Sequence, residues 1–168
     1  MKIILIVLGI ILLLLLIAVI RTLLIGKKQT SYTPSTDQKR IDEYAKKLST
    51  MVQFETVSVR GKPDPEKFRK FHKVLEKLFP NVFKTLEKIE IDGNLLMKWK
   101  GEDSSLQPII LISHLDVVPA EGEWTYPPFS GELVDGKIYG RGSGDIKCGV
   151  FSFYQAVEEL IKQGYTPK

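Results

Sequence analysis

Residues 114–116 read His-Leu-Asp and close an apolar run, Pro108-Ile-Ile-Leu-Ile-Ser-His114-Leu-Asp116. Farther along stands Gly140-Arg-Gly-Ser-Gly-Asp145-Ile-Lys147. An imidazole one residue away from a carboxylate, followed by a second carboxylate at a glycine-rich turn, is a metal-site layout. Strand residues two apart point the same way, so Asp116 can accept a hydrogen bond from His114. Such a bond fixes the tautomer and raises the basicity of the ring as a ligand. For a His-x-Asp taken by itself, a core histidine bonded to a loop carbonyl is the alternative.

Asp145 follows three glycines in five residues, a stretch free to turn sharply and present the next side chain. A carboxylate has two oxygens and can bridge two cations, as co-catalytic zinc or manganese sites require. A helix N-cap aspartate is the alternative that needs no metal. The glycine run also permits a nucleotide-loop reading, since it follows a strand-like Lys137-Ile-Tyr139 and opens a helix. Its spacing is Gly-x-Gly-x-Gly, no Gly-Lys-Ser/Thr follows, and an aspartate there would repel a phosphate.

The elements that must position these groups read as strands alternating with amphipathic helices, an α/β domain. Asp37 precedes a helical stripe of Ile41, Tyr44, Ala45, Leu48 and Met51. A second helix starts with Asp64 as N-cap and Pro65 as first residue, buries Phe68, Phe71, Leu75, Leu78 and Phe79, and ends at Pro80. Val82 to Ile91 and Asn94 to Lys100 read as two strands around Asp92-Gly93, a hairpin turn pair. The run from Pro108 to Val118 reads as a central strand buried on both faces, with His114 where α/β folds place ligand sites. Val150, Phe153, Tyr154, Val157, Leu160 and Ile161 form a third helical stripe, closed by Gly164 and Pro167.

The chain has 168 residues, enough for one domain with a sizeable core beside a membrane segment. From Ile3 to Ile20 every residue except Gly9 and Ala18 is Leu, Ile or Val. As a helix this run spans about 27 Å, close to a bilayer core. Residues 3–25 are therefore expected to lie in lipid as an uncleaved anchor. The alternative, a cleaved signal peptide, has a shorter apolar region and an Ala-x-Ala-type site, and neither fits Arg21-Thr-Leu-Leu-Ile-Gly-Lys-Lys28. Residues 1–28 thus read as anchor and basic flank, 29–37 as a polar linker, and 38–168 as the domain.

The formal net charge is +4, but Lys2, Arg21, Lys27 and Lys28 all flank the anchor, and residues 29–168 balance to zero. That distribution argues against nucleic-acid binding. The same flanking bases lean faintly toward a cytoplasmic C-terminal side. Cys148 is the single cysteine, which excludes an internal disulfide.

Ser113-His-Leu-Asp-Val-Val-Pro-Ala120, Trp124, Pro127-Pro-Phe-Ser-Gly131, Asp135-Gly136 and Ile138-Tyr-Gly-Arg-Gly-Ser-Gly-Asp-Ile-Lys147 follow one another in order. Together they resemble the zinc metallopeptidase family of aminoacylase, acetylornithine deacetylase, succinyl-diaminopimelate desuccinylase and carboxypeptidase S. The N-terminal anchor brings carboxypeptidase S and its acyl-amino-acid hydrolase relatives nearest. The resemblance implies the N-terminal part of a mixed-sheet, zinc-exopeptidase-like catalytic domain preceded by one transmembrane helix. It implies two zinc ions, with cobalt or manganese as alternatives. His114 would ligate one metal, Asp116 would orient it in a catalytic supporting role, and Asp145 would bridge both metals. The substrate would be a peptide or N-acyl amino acid, the domain extracytoplasmic, and the protein a homodimer through a smaller lid domain.

In that family a glutamate general base and a neighbouring metal-binding glutamate come later in the chain. Only twenty-three residues follow Asp145, too few to reach them. Glu158-Glu159 comes too early, lies mid-helix and reads as a solvated face; His72 reads as structural or exposed. The expectation is an N-terminal fragment of a di-metal amidohydrolase, lacking general base and lid, inactive and weakly zinc-binding by itself. The competing class is a membrane-tethered, non-enzymatic binding module, which folds without metal and does not need His114.

Overall fold

The computed structural model describes residues 2–26, 33 and 35–168, which divide into two units, 1–35 and 36–168. The first contains helix α1, Lys2–Leu24, whose side chains are all exposed. It is the one helix among the described residues long and apolar enough to cross a membrane. Lys27, Lys28 and most of the expected linker (29–32 and 34) lie outside the described residues.

The second unit is built on three helices whose ends the sequence marks. Helix α2, Gln38–Gln53, is capped by Asp37, whose carboxylate accepts from the Arg40 amide at 3.1 Å. Helix α3, Pro65–Leu78, is capped by Asp64 in the same way, accepting from the Lys67 amide at 3.1 Å. Helix α5, Lys147–Lys162, ends where Gly164 takes φ +74°. Their apolar faces meet in one core of Met51, Phe71, Leu75, Phe79, Val82 and Val150, with Phe151 and Tyr154 packed against it. Burying a Phe or Leu side chain contributes roughly 1.5–3 kcal/mol, so each such residue of this cluster adds to the unit's stability.

Between α3 and the first strand the sequence reading needs correction. Pro80 ends α3 but also opens a short helix, α4, Pro80–Thr85, so the expected strand from Val82 starts only at β1, Glu87–Ile91. Proline at the first helical position is compatible with a new turn. The N-cap residue Phe79 offers no side-chain bond, and the need is met from α5. Glu158 accepts from the Asn81 side chain at 2.6 Å and the Val82 amide at 3.0 Å. Glu158 is 0% exposed, so it is no solvated face, while Glu159 pairs with Arg40 at 2.6 Å.

Strand β1 pairs antiparallel with β2, Asn94–Lys98, through a turn with Asp92 at φ 49° and Gly93 at φ 82°. A second hairpin joins β3, Glu132–Val134, to β4, Lys137–Tyr139. These are two separate two-stranded sheets, and no mixed sheet forms among the described residues. The segment expected as a doubly buried central strand forms no ladder, and Ile109, Ile110, Leu111 and Ile112 are exposed. A strand is defined by its partners' N–H and C=O groups. Among the described residues its one β-bridge is a single parallel one, from Val117 to Val57.

His72 sits on the buried side of α3, 5% exposed, and its Nε2 has no partner among the described residues. Burial pushes its pKa below the usual 6.5; Lys88 and Arg69 push the same way, while Glu90 and the Gly93 backbone oppose. The unfolded chain therefore takes up this proton first as pH falls. The contribution is fully present above 6.5 and is lost as pH drops from there toward the folded value. His72→Gln is expected to flatten the loss of stability between neutral pH and pH ~5, read as urea midpoints. An unchanged slope would place the acid sensitivity elsewhere.

Candidate metal centre

His114 is positioned by a short stretch of chain that follows α2. The fully buried Thr56 donates its hydroxyl to the Leu115 carbonyl at 2.7 Å. The Val117 amide donates to the Thr56 carbonyl at 3.0 Å, and the Ser58 amide to the Val117 carbonyl at 2.9 Å. These bonds hold residues 115–117 extended, so His114 and Asp116 project to one side. Nδ1 of His114 lies 3.1 Å from Asp116 Oδ1 and 3.0 Å from the Asp116 carbonyl oxygen. With Nδ1 as the donor toward Asp116, the ring's lone pair is on Nε2.

Nε2 faces Asp145, 3.7 Å from its Oδ1. That distance is too long for a hydrogen bond. It is slightly wider than the ~3.3–3.6 Å between two donors that share one tetrahedral ion at about 2.0–2.2 Å each. The Asp145 side chain is 93% exposed and caps no helix; the N-cap of α5 is Ile146, without a side-chain bond. The helix-cap alternative for Asp145 is therefore not what the chain adopts.

Two glycines let the turn that carries Asp145 come close enough. Gly140 has φ 149°, and a Cβ there would lie 2.5 Å from Val52 Cγ1 and 3.0 Å from the Pro128 carbonyl oxygen. Gly142 has φ 88°, and its Cβ would meet Val117 Cγ1 at 2.7 Å. A side chain at 140 would push the turn off α2 and the Pro128 carbonyl, and one at 142 would push it away from Val117 in the His114 segment.

Lys147 then fastens the turn to the core. It is 0% exposed, its amide donates to the Gly142 carbonyl at 2.9 Å, and its Nζ donates to the carbonyls of Met51 (2.9 Å) and Phe54 (2.6 Å). Those carbonyls belong to the C-terminal end of α2, where a cation is favoured by the helix dipole. Burial pushes the Lys147 pKa down to about 8, so at neutral pH the ammonium is still charged. Sequence reasoning missed Thr56 and Lys147. The signal for Lys147 was a basic residue at the start of an otherwise apolar helix, where the dipole disfavours it unless it reaches another helix's end.

His114, Asp116 and Asp145 line a cleft of about 230 Å³. No group of three or more His, Cys, Asp or Glu side chains placed to hold an ion occurs among the described residues. A zinc site takes four protein donors when structural and three when catalytic. The pair could supply only a part of an ion's ligand set, an imidazole nitrogen and a carboxylate oxygen 3.7 Å apart beside solvent.

Comparison with known proteins shows which family the residues of this cleft resemble. Residues 110–168 match the model of Peptidase family M20/M25/M40. The chain is 43% identical over 136 residues to a probable carboxypeptidase S-like protein of Dictyostelium discoideum, covering 75% of this chain and 26% of the relative. It is 38% identical over 142 residues to an N-fatty-acyl-amino acid synthase/hydrolase of Danio rerio, covering 81% and 27%. It is also 38% identical over 136 residues to carboxypeptidase S of Saccharomyces cerevisiae, covering 72% and 23%. The chain belongs to the peptidase family M20/M25/M40. It spans about a quarter of the length of these curated relatives.

Proposed function

We propose that the full-length protein is a metal-dependent hydrolase of peptide or N-acyl-amino-acid amide bonds, tethered to a bilayer by α1. The observation that carries this reading is the His114 Nε2 to Asp145 Oδ1 approach of 3.7 Å, with Asp116 behind the ring. Relatives named carboxypeptidase S and N-fatty-acyl-amino acid synthase/hydrolase support the reaction class and the two kinds of substrate.

In this reading His114 holds one ion through Nε2. Asp116 keeps the Nδ1 proton and the ring plane fixed. Asp145 offers two oxygens from an exposed position, so it can serve two ions. A bound divalent ion supplies Lewis acidity and a nucleophilic water at neutral pH. Asp116 and Asp145 are the only carboxylates lining the cleft among the described residues, and the reading gives both to metal binding. The general base therefore comes from a part of the protein beyond these 168 residues, and the 168-residue chain alone is inactive and binds zinc weakly.

The test is hydrolysis by the full-length protein in isolated membranes, on N-acyl amino acids and on peptides with a free C-terminus. Amino-acid release that a chelator abolishes and zinc restores is the expected result. No release from either substrate class, or release indifferent to chelation, contradicts the proposal.

A further inference from the structure

Two pieces of chain carry the ion donors: residues 113–119, with His114, and the turn at 140–147, with Asp145. Among the described residues the hydrogen bonds that join these pieces directly are long. Ser113 Oγ lies 3.5 Å from the Ile146 carbonyl oxygen, and Arg141 Nη2 lies 3.3 Å from that of Pro119. The short bonds run instead to a third piece, residues 51–56, at the end of α2 and just beyond it. The Thr56 hydroxyl donates to the Leu115 carbonyl at 2.7 Å, and its own carbonyl accepts from the Val117 amide at 3.0 Å. The carbonyls of Met51 and Phe54 accept from Lys147 Nζ at 2.9 and 2.6 Å, while the Lys147 amide closes the turn on the Gly142 carbonyl at 2.9 Å.

Both fastening side chains are 0% exposed, and neither lines the cleft. The donors themselves are the opposite case: the His114 side chain is 55% exposed and that of Asp145 93%. Packing therefore does little to hold the donors, and their spacing is set by the backbones that carry them. Each backbone is measured from the same origin, the end of α2. Two donors share one ion only over a range of a few tenths of an ångström, so a small drift in either arm spoils the pair. A buried ammonium is costly to desolvate, and a side chain with only volume to fill would be apolar. What the ammonium and the hydroxyl add is direction, since each ties one carbonyl-bearing segment at a fixed distance.

We propose that Thr56 and Lys147 are positioning residues of the metal centre, which hold the His114 and Asp145 segments at the spacing where one ion is shared. This rests on the reading that those two side chains bind the same ion, and it names the residues outside the cleft that tune that binding.

The test uses the full-length protein, with zinc affinity read by competition with a chromophoric chelator and coordination geometry read from the visible bands of the cobalt form. Thr56→Val keeps the shape and removes the hydroxyl. It is expected to weaken zinc binding about tenfold or more and to alter the cobalt bands. Thr56→Ser restores the donor and is expected to recover both. Lys147→Met should act like Thr56→Val, and the double variant should lose less than the product of the two single losses, because both arms set one distance. Glu158→Gln disturbs the buried bonds to Asn81 and the Val82 amide toward the other end of α5, and it serves as the control for instability alone. It is expected to leave zinc affinity and cobalt bands as in wild type. Affinity and bands unchanged in Thr56→Val, or a loss that Glu158→Gln reproduces, overturns the proposal, and Thr56→Val decides it even if Lys147→Met does not fold. Zinc affinity undiminished in His114→Ala shows separately that the underlying ion reading has failed, and the proposal falls with it.

Discussion

Alanine at position 114 is expected to strip the full-length protein of metal at this site and to lower kcat/KM by about a thousandfold or more, roughly 4 kcal/mol. His114 supplies the nitrogen of the pair, and nothing adjacent can replace it. Asp116 is turned toward Nδ1, and Asp145 stands across the gap from Nε2. The fold itself should hardly respond. The His114 side chain is 55% exposed and packs into no core, so metal-free stability should stay within about 0.5 kcal/mol of wild type. Asp116→Ala acts one step removed and is expected to cost about 10–100-fold in metal affinity. Metal analysis alongside kcat/KM checks both variants, and a His114→Ala protein with full metal content would remove the basis of the site.

Lys147→Ala is expected to be the most destabilising single change near the site, by about 2–4 kcal/mol. It empties a buried stem and leaves the Met51 and Phe54 carbonyls without their donor. Deleting a desolvated charge gives some of that back, so Lys147→Met, which keeps most of the volume, should lie between wild type and alanine. Denaturant midpoints at constant m distinguish the cases. If Lys147→Met were as stable as wild type, the two bonds would be contributing nothing. The lowered pKa has a consequence of known sign. Between about 8 and 10.5 the unfolded chain holds this proton while the folded chain releases it, so the group adds stability as pH rises through that window.

What could be read from the sequence was what is decided locally. Asp37, Asp64-Pro65 and Gly164 mark helix ends by chemistry that acts within a turn, and α2, α3 and α5 begin and end by them. Asp92-Gly93 specifies its hairpin through the positive φ angles both residues adopt. The alternation of strand residues likewise anticipated that His114 and Asp116 face one another, and their side chains meet at 3.1 Å. Pairings over long separations were not legible. The 108–118 run has a strand's composition, but its ladder depends on partners that composition does not name. Glu158 looks like a surface acid until Asn81 and the Val82 amide, 77 and 76 residues away, reach it. Lys147 was hidden for the same reason, since its role is defined by α2 carbonyls.

The central claim is that His114 and Asp145 grip the same ion. The most direct measurement is an anomalous difference map at the zinc edge from crystals of the full-length protein. The expected result is a peak at ~2.0–2.2 Å from both His114 Nε2 and an Asp145 oxygen, with Asp116 bonded to Nδ1 and outside coordination distance. A metal peak liganded by neither residue, or a gap between them that stays free of metal at saturating zinc, would contradict it.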